Sequence, residues 1–453
     1  MAEDSDAGAD RNSHNGQGRR LAGAARDAAA SLSSLPRPLG NIHDRVRRIA
    51  ERFHEPSGVP IARPTGSSSR RFHVTVERSS GGLSGLRLLM TVACPPDDDM
   101  CGDLAFENAL STAAELFSHG VETVLLAVGG EPDEARALAA RRTPGVSFWP
   151  EPLAATSGGD LLPDMAERAN ADMLVVHDAA LVATRRSLRP TIVSCTASSF
   201  VSWMILHGTS APPDHVRVSG SIERQGLVAA DRVITSSRWL AETLADMHEL
   251  PLRPLVAAPL SIGALLSHDR ARTSVHRPAP LLLTAGRLYD DAMDLKTLDR
   301  AAARLDESVM AAGSAMAQDG RRASFDHLQV LGGLRWSEID RLLADAPVFV
   351  STALIPDPGG LLLRAAAHGC PLILSDIPAH RESWRGAAVF VPAGDHQAFA
   401  AAMRRASEDD EHRAAMAEAA LRRVRLLGAM RRSETLHEVL TSLSGGMRLT
   451  AAE

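Results

Sequence analysis

Short apolar runs of strand length alternate with helical segments along most of this 453-residue chain, and the alternation stops once and then restarts. This order constrains the fold more than any single motif. Strands joined through helices must lie parallel in one sheet with helices packed on its faces. The first series runs LRLLMTVA from Leu86, VETVLLAV from Val121, ADMLVVHD from Ala171, PTIVSC from Pro190 and ADRVITSS from Ala230. Helical segments such as AFENALSTAAELFSHG, ending at Gly120, and SRWLAETLADMHEL lie between them. A Pro-rich stretch, about residues 251–280, interrupts the pattern and reads as an interdomain hinge. The second series is LLLTAGRL, FDHLQVLGG, PVFVSTA, PLILSD and AAVFVP, followed by one long helical tail, HQAFAAAMRRASEDDEHRAAMAEAALRRVRLLGAM. The expected fold class is α/β, with two doubly wound parallel-sheet, Rossmann-like domains at 85–265 and 266–430 and a C-terminal helix and tail at 431–453. Ligands of such sheets bind at the carboxyl ends of the strands, here in the cleft between the domains.

Residues 1–84 read as a largely disordered arm, with linker-like ARPTGSSSRR and SSGGLSG. Within it, NIHDRVRRIAERFHE places Ile42, Val46, Ile49 and Phe53 on one helical face among arginines. Such a helix can cover its own chain, dock on a protein partner or lie on a membrane surface. The net charge of −6 argues against a nucleic-acid binder. Lys296 is the only lysine, a skew that reads as genomic composition bias. Cys94, Cys101, Cys195 and Cys370 have no zinc-site spacing and read as free thiols in a reducing cytosol. No metal is expected; Asp97, Asp98 and Asp99 read as a solvated loop. With no apolar run of spanning length and a polar N-terminus lacking a secretory core, the expected location is cytoplasmic, peripheral at the inner membrane face if the arm binds there.

Several residues are candidates from their own chemistry. Gly359 and Gly360 precede a short apolar helix, where free N–H groups can meet a phosphate; a simple tight turn is the alternative. His177 and Asp178 end a strand on the cleft side and, with His207, can contact an acceptor; a structural histidine is the alternative. Glu382, after a strand on the other side, can bond a hydroxyl or pair with Arg381 or Arg385.

From about Leu281 to Arg425 the order of motifs resembles the retaining glycosyltransferases of family four, through LLLTAGRLYDDAMDLKTLD, LGGLRWSEIDRLLADAPVFVSTAL and GCPLILSDIPAHRESWRGAAVFVPAGD. The first half is similar more weakly, through HGVETVLLAVGG, MLVVHDAAL, SFVSWMILHG and AADRVITSSRWLAETL. The resemblance implies the GT-B architecture, two Rossmann-like domains facing a cleft. It implies a nucleotide-sugar donor, a saccharide or other hydroxyl acceptor, and transfer with retention of configuration, with no cofactor. Arg287, after Gly286, takes the place of the phosphate-contacting arginine, a role weighed against an ordinary interdomain salt bridge. Lys296 is the candidate to replace the family's lysine, whose own place holds Met293. Asp357, Gly359, Gly360, Leu361 and Glu382 complete the implied donor side, and Gly102, His177, Asp178, Ser198 and His207 the implied acceptor side.

The chain also departs from that pattern. The family's two glutamates fall at Pro356 and Arg364, and an arginine cannot accept hydrogen bonds from a ribose. Its histidine falls at Ala197, the Asn-Gly before the hinge at Leu260-Ser261, and the first-strand glycine pair at Cys101-Gly102. Two functions therefore stand: a hexosyl-type glycosyltransferase, or a catalytically inactive GT-B module acting as partner or regulatory subunit of an active enzyme. A nucleotide-sugar epimerase of similar fold would need acids and a histidine along the cleft.

Overall fold

The computed structural model describes residues 83–93, 100–129, 134–153, 158–183, 189–208, 211–250, 255–256, 281–317, 320–356, 360–429 and 432–450. The amphipathic segment of the arm, Asp97–Asp99, Asp357, Gly359 and most of 251–280 lie outside the described residues.

The first domain runs β1 (Arg87–Ala93), α1 (Met100–Phe117), β2 (Glu122–Val128), α2 (Glu134–Arg142), β3 (Val146–Leu153), α3 (Gly158–Arg168), β4 (Met173–Val176) and α4 (Ala180–Ala183). It continues with β5 (Thr191–Cys195), α5 (Ser199–His207), α6 (Asp214–Ala229), β6 (Arg232–Thr235), α7 (Arg238–His248) and β7 (Leu255–Val256). The second runs β8 (Leu282–Ala285), a 3-10 turn (Asp291–Met293), α8 (Leu295–Ala302), β9 (Val309–Ala312), β10 (Leu328–Gly332), α9 (Trp336–Ala344) and β11 (Val348–Ser351). It ends with α10 (Leu361–Ala367), β12 (Leu372–Ser375), α11 (Pro378–Trp384), β13 (Val389–Val391), α12 (His396–Glu408), α13 (Asp410–Ala429) and α14 (Arg432–Thr450).

Both sheets are parallel throughout, as expected. The first has seven strands in the order β3-β2-β1-β4-β5-β6-β7, and the second six in the order β10-β9-β8-β11-β12-β13. Strands β4, β5, β8 and β11 are buried on both faces, which is why they read as unbroken apolar runs rather than as alternation. Each sheet reverses its strand order once, between β1 and β4 and between β8 and β11, and a crevice opens at the carboxyl ends there.

Some elements differ from expectation. β3, β7 and β9 are absent from the apolar-run reading, and β7 falls in the stretch read as the hinge. β3 carries Pro150 and Pro152, which an edge strand tolerates, and β9 is the four residues VMAA, half of them alanine. The long tail is two helices: Asp409 turns extended, and its carboxylate accepts the N–H of His412 at the start of α13. α14 then leaves the second domain, and Leu436, Val439 and Leu440 pack into the first domain's core with Leu88, Phe106 and Leu125. Leu83, in the stretch assigned to the arm, is buried in that same core.

Candidate active site

At the second sheet's reversal point, β8 ends in Ala285 and the chain turns sharply through Gly286. The backbone there has φ of 143°, a conformation that favours glycine over any side-chain-bearing residue. That turn presents Arg287 at the mouth of a cavity of about 400 Å³. Its floor and second-domain wall include Met293, Trp336, Ser351, Pro356 and Leu361. The opposite wall comes from the first domain, through Ser198 and the α5 residues Ser199, Ser202 and Trp203. The Arg287 guanidinium is partly exposed, with Nη2 3.2 Å from Oδ2 of Asp290, whose Oδ1 accepts the Ala292 N–H. A fixed cation is thus held by a short Asx turn at the place where a ligand can enter.

Of the residues expected at the site, Gly286, Arg287, Leu361 and Ser198 share this cavity. Gly360 precedes Leu361 as the N-cap of α10, in the left-handed region with φ of 80°. The Ser198 hydroxyl is committed: it accepts the Val201 N–H as the N-cap of α5 and donates to Oε2 of Glu223 at 2.7 Å. Glu223 also lies 3.3 Å from Nε2 of buried His248. His207 ends α5 exposed, its ring 4.6 Å from that of Trp203. Gly102 falls in the first turn of α1.

Lys296 is placed elsewhere. The buried face of α8 is Leu295, Thr297, Leu298, Ala301 and Ala302, so Lys296 points out of the domain and lines a separate groove. It does not reach back to Arg287, whose neighbour across the turn is Met293.

Glu382 serves a different partner from those expected. Its two oxygens accept the backbone N–H groups of Arg238 and Trp239, each at 2.8 Å, so a second-domain carboxylate caps the first turn of α7 in the first domain. Arg423 holds the backbone carbonyl of Glu382 at 3.0 Å.

Arg364, at the place of the family's second glutamate, is buried. Nε and Nη2 grip both oxygens of Asp340 at 2.7 and 2.8 Å, and Nη1 donates to Glu107 of α1 at 2.9 Å. The guanidinium lies 4.5 Å over the Trp336 ring, and His368 Nε2 is 3.2 Å from Asp340. Burial pushes the Asp340 carboxyl up, but the hydrogen bonds and charges of Arg364 and His368 outweigh it and hold it well below the usual carboxylate range. The cluster joins the domains, and neither Asp340 nor Glu107 carries a local signal in the sequence.

His177 and Asp178 lie at the first sheet's reversal point, as their position after β4 suggests. His177 lines a smaller cavity, about 100 Å³, with Thr91, Asn108, Thr112, Ser194 and Thr196. Thr91 Oγ1 accepts the His177 backbone N–H at 3.1 Å and sits 2.8 Å from Nδ1. Giving its own proton to Nδ1 leaves the ring hydrogen on Nε2. Burial lowers the imidazole pKa against the opposing charge of Asp178, which keeps the ring neutral at pH 7. Asp178 is exposed and accepts the Ala180 N–H. Cys195 and Cys370 are free and buried, and burial pushes both thiols up. Among the described residues no group of acids, histidines and cysteines could hold a metal, and no helix is long and apolar enough to cross a membrane.

The family described as "Glycosyl transferases group 1" matches residues 279–409, the region that holds Arg287, Arg364 and Glu382. No curated protein matches the chain in sequence. Solved structures match across both domains. WaaG, a glycosyltransferase involved in lipopolysaccharide biosynthesis, is 13% identical with a TM-score of 0.57, covering 78% of this chain and 99% of its own. Sucrose-phosphate synthase from Thermosynechococcus elongatus is 13% identical with a TM-score of 0.56, covering 81% and 100%. HepE of Anabaena, solved in complex with UDP-glucose, is 16% identical with a TM-score of 0.55, covering 79% and 100%. At such identities the likeness is one of fold, and the fold is GT-B.

Proposed function

We propose that this protein is a glycosyltransferase that moves a hexosyl group from a nucleotide-sugar donor to an acceptor hydroxyl with retention of configuration. The observation that carries the reading is Arg287: a partly exposed cation behind a positive-φ glycine turn, at the carboxyl end of β8, in a cavity closed by the other domain. The family match to residues 279–409 and a structural neighbour bound to UDP-glucose support it.

In this mechanism Arg287 offsets the negative charge growing on the leaving diphosphate, with no proton to move. Leu361 and Trp336 exclude water on the donor side. The acceptor enters past Trp203 and α5, with the His177 cavity as the neighbouring polar site on the first domain. A front-side displacement forms the new glycosidic bond on the face where the old one breaks. The leaving phosphate takes the acceptor's proton, so the alanine at the family's histidine place is compatible with turnover. No metal has a part in it.

A second reading, an inactive module partnering an active transferase, is favoured by one arrangement. Arg364 occupies the place of the ribose-binding glutamate and is spent on Asp340 and Glu107. The test is calorimetry of the purified chain against nucleoside diphosphates and nucleotide sugars. Micromolar binding of one of them, weakened at least tenfold in Arg287→Ala, is expected; no binding to a folded protein leaves the inactive module as the reading.

A further inference from the structure

The second domain carries another basic site, built on the helix face that sent Lys296 away from the cleft. Lys296 and Arg300 stand one turn apart on exposed positions of α8, and Arg304 continues the line just past its end. A loop at Ser324–His327 and His396, the first residue of α12, face them across a groove of about 620 Å³. None of the three cations has an ion-pair partner among the described residues. The acid beside them is otherwise engaged. Asp299 accepts the backbone N–H groups of His327 and Leu328 at 2.8 and 3.1 Å, and that of Asp326 at 3.3 Å. Its charge therefore pins the facing loop. Asp299 and Asp326 are the two carboxylates in the wall, against the three cations.

Three exposed cations stand in line on a protein of net charge −6. Like charges at helical spacing repel one another, and an anion bound among them relieves that repulsion. Arginine forks and a lysine point charge, with histidine and serine donors opposite, match phosphate oxygens. The groove is larger than a bare phosphate needs and falls within the range of small-molecule sites. Phe325 gives it a partly buried apolar surface for an organic remainder. Three cations are too few for a nucleic-acid track.

We propose that this groove is a second anion site, separate from the cleft, that takes a small phosphate monoester through Lys296, Arg300 and Arg304. It shares no lining residue with the Arg287 cavity. The site is independent of whether the cleft is catalytically active.

The test is calorimetry of the full chain with inorganic phosphate and glucose 6-phosphate, in wild type, Arg287→Ala and Lys296→Glu/Arg300→Glu. Binding is expected to be equal in wild type and Arg287→Ala and at least tenfold weaker in the double variant, whose far-UV spectrum and melting temperature stay those of wild type. Co-sedimentation with phosphatidylcholine vesicles, with and without phosphatidylinositol 4-phosphate, separates the two sources of the same chemistry. Binding only to the phosphorylated vesicles, lost in the double variant, makes the ligand a lipid headgroup. Binding that survives the double variant, binding lost in Arg287→Ala alone, or no binding to ester or vesicle overturns the proposal.

Discussion

Arg287 and Arg364 belong to the same domain and are used in opposite ways. Arg287 keeps part of its guanidinium in the open cavity, with the Asp290 carboxylate beside it. Arg364 is 7% exposed, holds two carboxylates and stacks on an indole. Arg287 lines a cavity that a ligand can enter, while Arg364 clasps the two domains together. A cation that must meet a ligand stays partly solvated. A cation that must hold a seam is stripped of water and fully paired, which makes its loss far more costly.

The largest effect should come from breaking the seam. Arg364→Ala leaves Asp340 without its bidentate partner and should cost about 3 kcal/mol in urea unfolding, with Arg364→Lys recovering only part because a single ammonium cannot make the fork. Close in size is a pH effect from a buried histidine. His380 is buried, Nδ1 lies 3.0 Å from the Ser375 carbonyl, and burial lowers its pKa to about 4. The unfolded chain then binds the extra proton between about pH 6.5 and 4, so stability falls as pH drops through that window, by about 3 kcal/mol in full. His380→Gln should flatten the slope there. Asp340 acts below it: its depressed pKa supplies stability above the ordinary carboxylate range that is lost as pH falls further. Arg364→Ala should remove that acid limb.

At the rim the balance reverses. Arg287→Ala should change stability by under about 0.5 kcal/mol. It should weaken nucleoside diphosphate binding by about 2 kcal/mol, roughly thirtyfold. A stability loss comparable to that of Arg364→Ala would erase the contrast between the two arginines. The smallest effect sharpens it. Glu382→Gln keeps the shape but weakens the cap on α7 across the seam, and should cost about 1 kcal/mol by thermal melting, with ligand binding unchanged.

The sheets were legible because parallel strands buried on both faces leave long apolar runs, and the helices between them leave theirs at helical spacing. Gly286-Arg287 was legible for a similar reason: a strand end, a glycine and an arginine are adjacent in sequence. The seam was not. Glu107 and Arg364 are 257 residues apart, and nothing in either segment names the other. Asp340 lies 24 residues from Arg364 on a different helix. Lys296 shows the limit of counting: three residues past the family's place moves a side chain around α8 to the far face, away from the phosphate it was expected to meet. Glu382 shows another, since a carboxylate after a strand can as readily cap a neighbouring domain's helix as bind a hydroxyl.

The last helix gives the molecule an order in time. Ribosomes deliver the β1–β7 sheet long before α14, yet Leu436, Val439 and Leu440 complete the core that covers Leu88, Phe106 and Leu125. A nascent chain therefore carries an uncovered apolar face on its first domain until α14 emerges, a natural holding point for a chaperone. Assembly of the cleft is then a late event in the protein's life, because the first domain matures only when the second has already been made.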